Sequence, residues 1–190
     1  VIKKSFNIGQ FSPLKDNDLF DMEYWSLEQA KLGKNKPLLA QGKIVYITGA
    51  ASGIGLATAK LFAKNGASLF LVDLDKETLI YEVEKLREQF KTGIAFHVVD
   101  VTEEKEVKKS FESLIKTFGG IDILISNAGN AIRGKIGEVD STTLRKSFEL
   151  NFFSHQTLAS QAVQLFQKQN TGGVLMFNAS KAAFNPGKDF

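Results

Sequence analysis

The chain contains no cysteine among its 190 residues. Without thiols it forms no disulfide, no thiolate metal site and no cysteine nucleophile, and we expect no metal centre. This composition is typical of a reducing compartment, so we predict a cytoplasmic protein. The sequence also lacks any run of about 18 apolar residues, which predicts no membrane-spanning helix. Its N-terminus has no apolar signal-peptide core.

Basic residues are not concentrated in one region, and the net charge is only +3. The densest group is Lys31, Lys34 and Lys36, and no aromatic residues alternate with it. Nucleic-acid-binding surfaces usually show such clustering, so we expect no nucleic-acid partner. The apolar and charged fractions, 43% and 24%, are typical of a globular protein with a buried core.

The first part of the chain differs in character from the rest. Residues 1–42 carry scattered aromatic side chains among polar ones, with helical spacing over Asp21–Leu32 and a linker-like stretch at Lys34–Pro37. We predict that this lead segment is the tail of a preceding domain plus a linker. Residues 43–190 are predicted to form one domain.

Strand and helix patterns alternate over residues 43–190. Short apolar segments predict strands at Ile44–Ile47, Ser68–Val72, Ile94–Val98, Asp122–Ser126 and Val174–Asn178. Amphipathic segments predict helices at Ile54–Asn65, Lys76–Lys91, Glu103–Phe118 and Thr142–Lys168. Continuous apolar strands separated by helices indicate a parallel sheet covered on both faces. The predicted fold is therefore α/β, a doubly wound, Rossmann-like parallel sheet.

A glycine-rich turn follows the first predicted strand and opens the first helix. Gly49, Gly53 and Gly55 are spaced Gly-x-x-x-Gly-x-Gly. They would allow, in turn, a sharp exit from the strand, close approach of a phosphate and tight helix packing. Backbone N–H groups and the positive helix end then face one point, which suits a dinucleotide pyrophosphate. Three glycines alone leave open an ordinary glycine-rich turn.

A carboxylate follows the second predicted strand at Asp73. At that place in a dinucleotide-binding fold, a carboxylate accepts hydrogen bonds from the adenosine ribose and repels a 2′-phosphate. No Lys or Arg occurs in Ala50–Ser52, and Leu74 comes next, so nothing nearby would pair with such a phosphate. The pattern favours NAD over NADP. The alternative is that Asp73 or Asp75 only caps the next helix.

Polar or small residues also follow the third and fourth predicted strands. Asp100 alone would be a turn residue or helix cap, with Thr102 competing for the cap. Asn127-Ala128-Gly129 would let the backbone approach a ligand at the carboxyl edge of the sheet, where open α/β sheets bind. Alone, this tripeptide would also be a turn.

Together these segments resemble the short-chain dehydrogenase/reductase family. The matching residues, in order, are Thr48–Gly55, Asp73, Asp100-Val101, Asn127-Ala128-Gly129, Asn151 and Ser180. The resemblance covers roughly residues 43–190. It implies an oxidoreductase that interconverts an alcohol and a carbonyl, with NAD as cofactor and a small alcohol or aldehyde as substrate.

The resemblance implies a set of cofactor-binding residues. Those lining the pyrophosphate and adjoining ribose would be Gly49, Ser52, Gly53, Ile54 and Gly55. Asp73 would hold the adenosine ribose, and Asp100 with Val101 would contact the adenine. The residues bordering the cofactor would be Asn127, Ala128 and Gly129.

Two further positions carry over from the family as catalytic residues. Asn151 would hold a water in the proton relay; without the family, an Asn paired to backbone inside a helix is the natural interpretation. Ser180 would donate a hydrogen bond to the substrate oxygen; without the family, it would be a strand-end Ser capping a turn.

The family's Tyr-x-x-x-Lys pair, which moves the proton, does not occur after Ser180 within residues 1–190. The family pattern places that Tyr beyond Phe190, and the tyrosines present (Tyr24, Tyr46 and Tyr81) all precede the fourth strand. We therefore expect a chain truncated before the motif, a sheet incomplete at its C-terminal edge, and an inactive fragment. The alternative is an NAD-binding or scaffold module that performs no chemistry.

A second resemblance concerns the lead segment. Asp21–Lys34 is similar to the junction in two-domain proteins that join a class II-type sugar-phosphate aldolase, such as a rhamnulose-phosphate aldolase, to a short-chain dehydrogenase. Phe177–Lys181 and Asn185–Gly187 look like that subgroup too. The resemblance implies a fused aldolase domain and lactaldehyde or another sugar-derived substrate. Alternatively, residues around Trp25 form an interaction element for a partner domain.

The family resemblance also bears on assembly. Members commonly pair through the long helix near residues 142–168, so we expect the intact protein to be a homo-oligomer.

Overall fold

A computed structural model describes residues 37–131 and 137–185, together with Tyr24. The strands are β1 Ile44–Thr48, β2 Ser68–Asp73, β3 Ile94–Val98, β4 Ile123–Ser126 and β5 Val174–Phe177. The helices between them are α1 Gly53–Lys64, α2 Lys76–Gln89, α3 Glu104–Phe118, α4 Ser141–Phe148 and α5 Ser154–Gln169. None of the helices in these ranges is long and apolar enough to cross a bilayer.

The strands form one parallel sheet in the order β3-β2-β1-β4-β5. Chain order reverses between β1 and β4, because β1 pairs with β2 on one side and with β4 on the other. Open α/β sheets bind ligands outside the carboxyl ends of strands at such a reversal. The predicted doubly wound parallel sheet is confirmed.

Helices cover both faces of the sheet because alternate residues of each strand point to opposite sides. Val45 and Ile47 of β1 pack into one core cluster, with Ala59 of α1. Ile44 and Tyr46 pack into the other. Every residue of β1 is buried, which places this strand at the centre of the fold.

The helix predicted over Thr142–Lys168 is not uniform. A π-helical turn, Glu149–Phe153, separates α4 from α5. At its end the Ser154 hydroxyl donates to the Leu150 carbonyl at 2.6 Å. A π turn is a rare local widening within an otherwise continuous helix, so a pattern search for one amphipathic α-helix does not locate it.

The predicted Asp21–Leu32 helix and the rest of residues 1–36, except Tyr24, lie outside the described residues. The stretch just before β1 packs on the sheet domain. Ala40 is buried, and its N–H donates to the Asn65 carbonyl at the end of α1 at 3.0 Å. The chain therefore enters β1 from a turn held against α1.

Candidate functional site

A cavity of about 460 Å³ opens at the carboxyl ends of the central strands. It is lined by every predicted cofactor-binding residue except Gly55: Gly49, Ser52, Gly53, Ile54, Asp73, Asp100, Val101, Asn127, Ala128 and Gly129. Its remaining lining residues were not predicted as site residues: Leu74, Val99, Leu150 and Asn178. The carboxyl ends of all five strands and the π turn thus contribute to one concave surface.

The three glycines of the turn differ in what surrounds them. Gly49 has φ +63°, and a Cβ there would meet Asn127 Nδ2 at 3.0 Å. Gly53 has φ +53°, with nothing within 4 Å of where its Cβ would lie. A Cβ on Gly55 would collide with the Gly49 carbonyl. Gly55 therefore acts by packing, whereas Gly53 leaves open space at the start of α1.

The N-terminus of α1 faces the cavity without neutralising groups of its own. Ser52 is the N-cap residue, yet its side chain makes no capping hydrogen bond, and the first turn carries no acidic residue. Unpaired helix N–H groups and the positive end of the dipole favour an anion. This end of the cavity is therefore suited to a phosphate group.

The Asp73 carboxylate joins the glycine turn to the residue that caps α2, but it does not cap α2 itself. Its Oδ2 accepts from the Ala51 N–H at 2.9 Å, and its Oδ1 accepts from the Asp75 N–H at 3.0 Å. The cap of α2 is Asp75, which accepts from the Thr78 N–H at 3.1 Å. Since a carboxylate accepts up to about four hydrogen bonds, Asp73 retains capacity for a ligand.

The ends of β1 and β4 are joined through Thr48. Its buried Oγ1 accepts from the N–H groups of Asn127 at 2.8 Å and Ala128 at 2.9 Å. Asn127 Nδ2 in turn donates to the Thr48 carbonyl at 3.0 Å. Thr48 was not predicted as a site residue; the signal was a hydroxyl at a strand end next to Gly49.

Asp100 forms a side-chain turn at the edge of the cavity. Its Oδ1 accepts from the N–H of Thr102 at 2.9 Å and from its hydroxyl at 2.6 Å. The turn interpretation is confirmed. The cap interpretation is wrong for both residues, because the N-cap of α3 is Glu103. The turn presents Val101 to the cavity.

The two predicted catalytic residues lie outside the cavity lining. Asn151 sits in the π turn, where its Oδ1 accepts from the Asn130 N–H at 3.0 Å and its Nδ2 donates to the Asn130 carbonyl at 2.9 Å. It therefore pairs with backbone, but with that of the loop after β4. Ser180 caps a 3₁₀ turn, Lys181–Ala183, accepting from the Ala182 N–H at 3.1 Å.

A serine–histidine pair that sequence reasoning missed lies behind the cavity. Ser126 Oγ and His155 Nδ1 are 2.5 Å apart. Burial lowers the pKa of His155, which favours the neutral imidazole. Because Ser126 is fully buried, the pair offers no accessible nucleophile and serves to tie α5 to β4.

The tyrosines of the sheet domain do not line the cavity. Tyr46 is buried, stacks on Phe111 and bonds the Ser110 hydroxyl at 2.6 Å, and its burial raises the pKa of the phenol. Tyr81 is exposed on α2, with Lys85 Nζ 4.1 Å from its ring centroid. Neither is placed to exchange a proton in the cavity.

Over the described residues, no group of acidic, histidine or cysteine side chains is arranged to hold a metal.

Sequence comparison finds relatives among oxidoreductases. An uncharacterized oxidoreductase, YuxG of Bacillus subtilis, is 32% identical over 191 residues, covering 100% of this chain and 28% of that protein. An uncharacterized oxidoreductase of Thermotoga maritima is 38% identical over 144 residues, covering 75% of this chain and 55% of that protein. The chain therefore spans about half or less of the length of these relatives.

Two solved structures similar to this chain contain a nicotinamide cofactor. L-sorbose reductase from Gluconobacter frateurii, complexed with NADPH and L-sorbose, matches with TM-score 0.77 and 34% identity, covering 81% of this chain and 58% of that one. A 7α-hydroxysteroid dehydrogenase complexed with NADH and 7-oxo glycochenodeoxycholic acid matches with TM-score 0.74 and 32% identity, covering 80% and 58%.

Two family models match different parts of the chain. Residues 1–32 match the model described as aldolase class II, second domain. Residues 43–190, most of the chain, match the model described as short chain dehydrogenase. This second match includes all the strands and the whole cavity. The chain belongs to the short-chain dehydrogenase family.

Proposed function

We propose that this chain is the cofactor-binding part of an NAD-dependent oxidoreductase that interconverts an alcohol and a carbonyl. The observation that carries the proposal is the cavity in which the glycine turn and the Asp73 carboxylate face the same space. When bound, the nicotinamide would accept or supply the hydride. The residues of the chain then bind and orient the reacting molecules.

The residues of the cavity fit two parts of a dinucleotide, the pyrophosphate and the adenosine ribose. Open space at Gly53 and the first turn of α1 would take the pyrophosphate. The carboxylate of Asp73 would accept from ribose hydroxyls and repel a 2′-phosphate. Neither Ala50–Ser52 nor Leu74 supplies a positive charge to offset that repulsion. These features support NAD over NADP, although structures similar to this chain contain either cofactor.

The substrate would meet Ser180 beyond the end of β5. Because Ser180 Oγ only accepts from the Ala182 N–H, its own hydroxyl proton remains available to donate to a substrate oxygen. Asn151 would support the same region by holding the Asn130 backbone. Its part in a proton relay is inferred from the family alone.

The chain supplies a hydrogen-bond donor for the substrate but no tyrosine after Tyr81. We therefore propose that residues 1–190 bind NAD without turnover, and that the acid/base belongs to a longer parent. The parent would act on lactaldehyde or another sugar-derived alcohol or aldehyde in the cytoplasm. A parent lacking Tyr-x-x-x-Lys just past Phe190 would instead support the non-catalytic NAD-binding module.

Cofactor titration tests the proposal directly. The full chain is titrated with NADH and NADPH by calorimetry, and NAD reduction is assayed with lactaldehyde. We expect NADH to bind at least about tenfold more tightly than NADPH, with no turnover. A parent extended past Phe190 should reduce NAD. Binding of neither cofactor would contradict the proposal, and tighter binding of NADPH would contradict the assigned role of Asp73.

An aldolase-type domain is the proposed partner at the N-terminal side. Residues 33–36 separate the aldolase-like segment from Pro37, and four residues span at most about 14 Å. Such a domain would therefore lie near the end of α1, where Leu39 is 94% and Leu61 is 61% exposed. Protection of the Leu39 backbone N–H from hydrogen exchange only in the longer parent would support this arrangement; equal exchange would count against it.

A second copy of the chain is the proposed partner at α4. Leu144, Phe148 and Phe152 recur along one helical face, and each is about half exposed. Arg145 and Glu149 flank this face with opposite charges. Around a two-fold axis, Arg145 of one copy would face Glu149 of the other. This arrangement supports the expected homo-oligomer.

A further inference from the structure

Asn178 occupies the position where β5 meets the cavity. Its backbone N–H donates to the Ser126 carbonyl at 3.0 Å, which extends the parallel pairing of β4 and β5 by one residue. That register brings the Asn178 side chain beside Asn127, and its Nδ2 donates to Asn127 Oδ1 at 2.9 Å. Both side chains line the cavity.

The other end of the Asn127 amide faces β1. Its Nδ2 donates to the carbonyls of Thr48 at 3.0 Å and Gly49 at 3.4 Å. An amide is nearly symmetric in shape, so only its partners decide which end faces which strand. If the Asn127 amide group were rotated by half a turn, its oxygen would face those two carbonyl oxygens, and the two hydrogen bonds would be lost. Its orientation therefore matters to the glycine turn.

We propose that Asn178 is a positioning residue for the cofactor site and acts through Asn127. By donating to Asn127 Oδ1, it holds the Asn127 amide nitrogen toward Thr48 and Gly49 and so fixes the start of the glycine turn. The proposal rests on the proposed cofactor function. Its consequence is that the β5 end, which carries Ser180, and the cofactor turn share one chain of hydrogen bonds across three strands.

Two other roles for Asn178 predict different behaviour. If its amide bound the ligand directly, its loss would weaken binding whether or not Asn127 were present. If it only stabilised the end of β5, its loss would lower the melting temperature and leave ligand affinity unchanged. A double-mutant cycle between the two asparagines separates these roles from positioning.

The experiment compares NADH affinity for the full chain carrying Asn178→Ala, Asn127→Ala or both. The matched control is Asn185→Ala, which removes an exposed amide from the same segment without touching the cavity. We expect Asn178→Ala to weaken NADH binding roughly five- to tenfold, the usual effect of one lost hydrogen bond. In the Asn127→Ala background the same change should have less than a twofold effect, and the control should bind as wild type.

Equal fold losses in both backgrounds would overturn the proposal, and so would a lower melting temperature with unchanged NADH affinity. A second measurement is independent of ligand: the Asn127 side-chain NH₂ signals in a ¹⁵N NMR spectrum. They should shift and exchange faster in Asn178→Ala but not in Asn185→Ala. Absence of that change would overturn the inference, whereas failure of the wild-type chain to bind NADH would overturn only the proposed function.

Discussion

The Thr48 hydroxyl accepts the backbone N–H of Asn127 at 2.8 Å, which ties the carboxyl end of β1 to that of β4. It also accepts the Ala128 N–H at 2.9 Å, so one buried oxygen satisfies two backbone donors. The two strands flank the point where chain order reverses. The cavity therefore lies at two strand ends that are joined to each other by hydrogen bonds.

Removing that hydroxyl should destabilise the domain. Thr48→Val keeps the shape of the side chain but leaves the N–H groups of Asn127 and Ala128 without an acceptor. We expect the free energy of unfolding to fall by about 2–4 kcal/mol, since each buried unpaired donor costs about 1–3 kcal/mol. Urea unfolding measures the change. Thr48→Ser retains the oxygen and is the control; if it loses as much stability as Thr48→Val, the hydroxyl is not the cause.

The glycines of the turn should tolerate alanine differently. Gly55→Ala places a methyl against the Gly49 carbonyl, whereas at Gly53 the space is open and only the positive φ opposes a side chain. We expect Gly53→Ala to cost about 1–2 kcal/mol of stability and Gly55→Ala clearly more. Thermal unfolding of the two variants under one condition checks the order. A smaller loss for Gly55→Ala would mean that α1 shifts away from the turn.

Charge removal at Asp73 should reduce discrimination between cofactors. Asp73→Asn removes the charge that would repel a 2′-phosphate. In the wild type, the carboxylate accepts hydrogen bonds from two backbone N–H groups; in the variant, one of these N–H groups would face the amide nitrogen and lose its acceptor. We expect NADH binding to weaken several-fold and the NADH/NADPH preference to fall by about tenfold. Parallel titrations measure the ratio. An unchanged ratio would show that another group sets the preference.

The helix caps predict how stability depends on pH. Hydrogen bonds from the Thr78 hydroxyl and N–H lower the pKa of Asp75, and those from Thr143 lower the pKa of Asp140. A carboxyl whose folded pKa is lowered stabilises the protein above its unfolded value, and this contribution is lost as the pH falls through the lower folded value. Melting curves at successive pH values should therefore show a smaller acid-side loss for Asp75→Asn than for wild type, because an asparagine cap does not titrate. Identical acid-side profiles would contradict this origin.

The exposed face of α4 should control assembly. Phe148→Asp places a charge at the centre of the proposed contact, and we expect it to convert a dimer to a monomer at micromolar concentration. Light scattering after size-exclusion chromatography measures the mass. Tyr81→Asp, on an exposed aromatic of α2, is the matched control. If the wild-type chain is a monomer, or if Phe148→Asp remains a dimer, this face is not the interface.

Much of the fold followed from local patterns. The strands β1 to β5 begin and end within one or two residues of their predicted bounds. Short apolar runs that alternate with amphipathic helices are typical of the buried strands of a parallel sheet, so their bounds can be predicted from sequence. The helix bounds agree less well around Asn151, where a rare π turn interrupts the single helix that the sequence predicts. Predictions over residues 1–36 lie outside the described residues.

The candidate site was predictable only in part. Residues next to glycines or at strand ends, such as Gly53 and Asp73, carry a local signal, and the structure places them in one cavity. Thr48 and Asn178 also end predicted or observed strands, but local sequence does not show which residues they contact, because those partners are distant in sequence. Asp100 could be predicted as a turn residue, but the N-cap of α3 at Glu103 was missed.

The sequence by itself determined the parallel sheet and the location of the glycine turn, because residue type and spacing show which segments are buried and where the backbone needs glycine. The tertiary structure alone decided which side chains meet at the end of that sheet. Strand register pairs Asn178 with Asn127 across 51 positions and joins Thr48 to Asn127 across 79. Such contacts depend on the geometry of strands brought together by folding, and no local pattern encodes them.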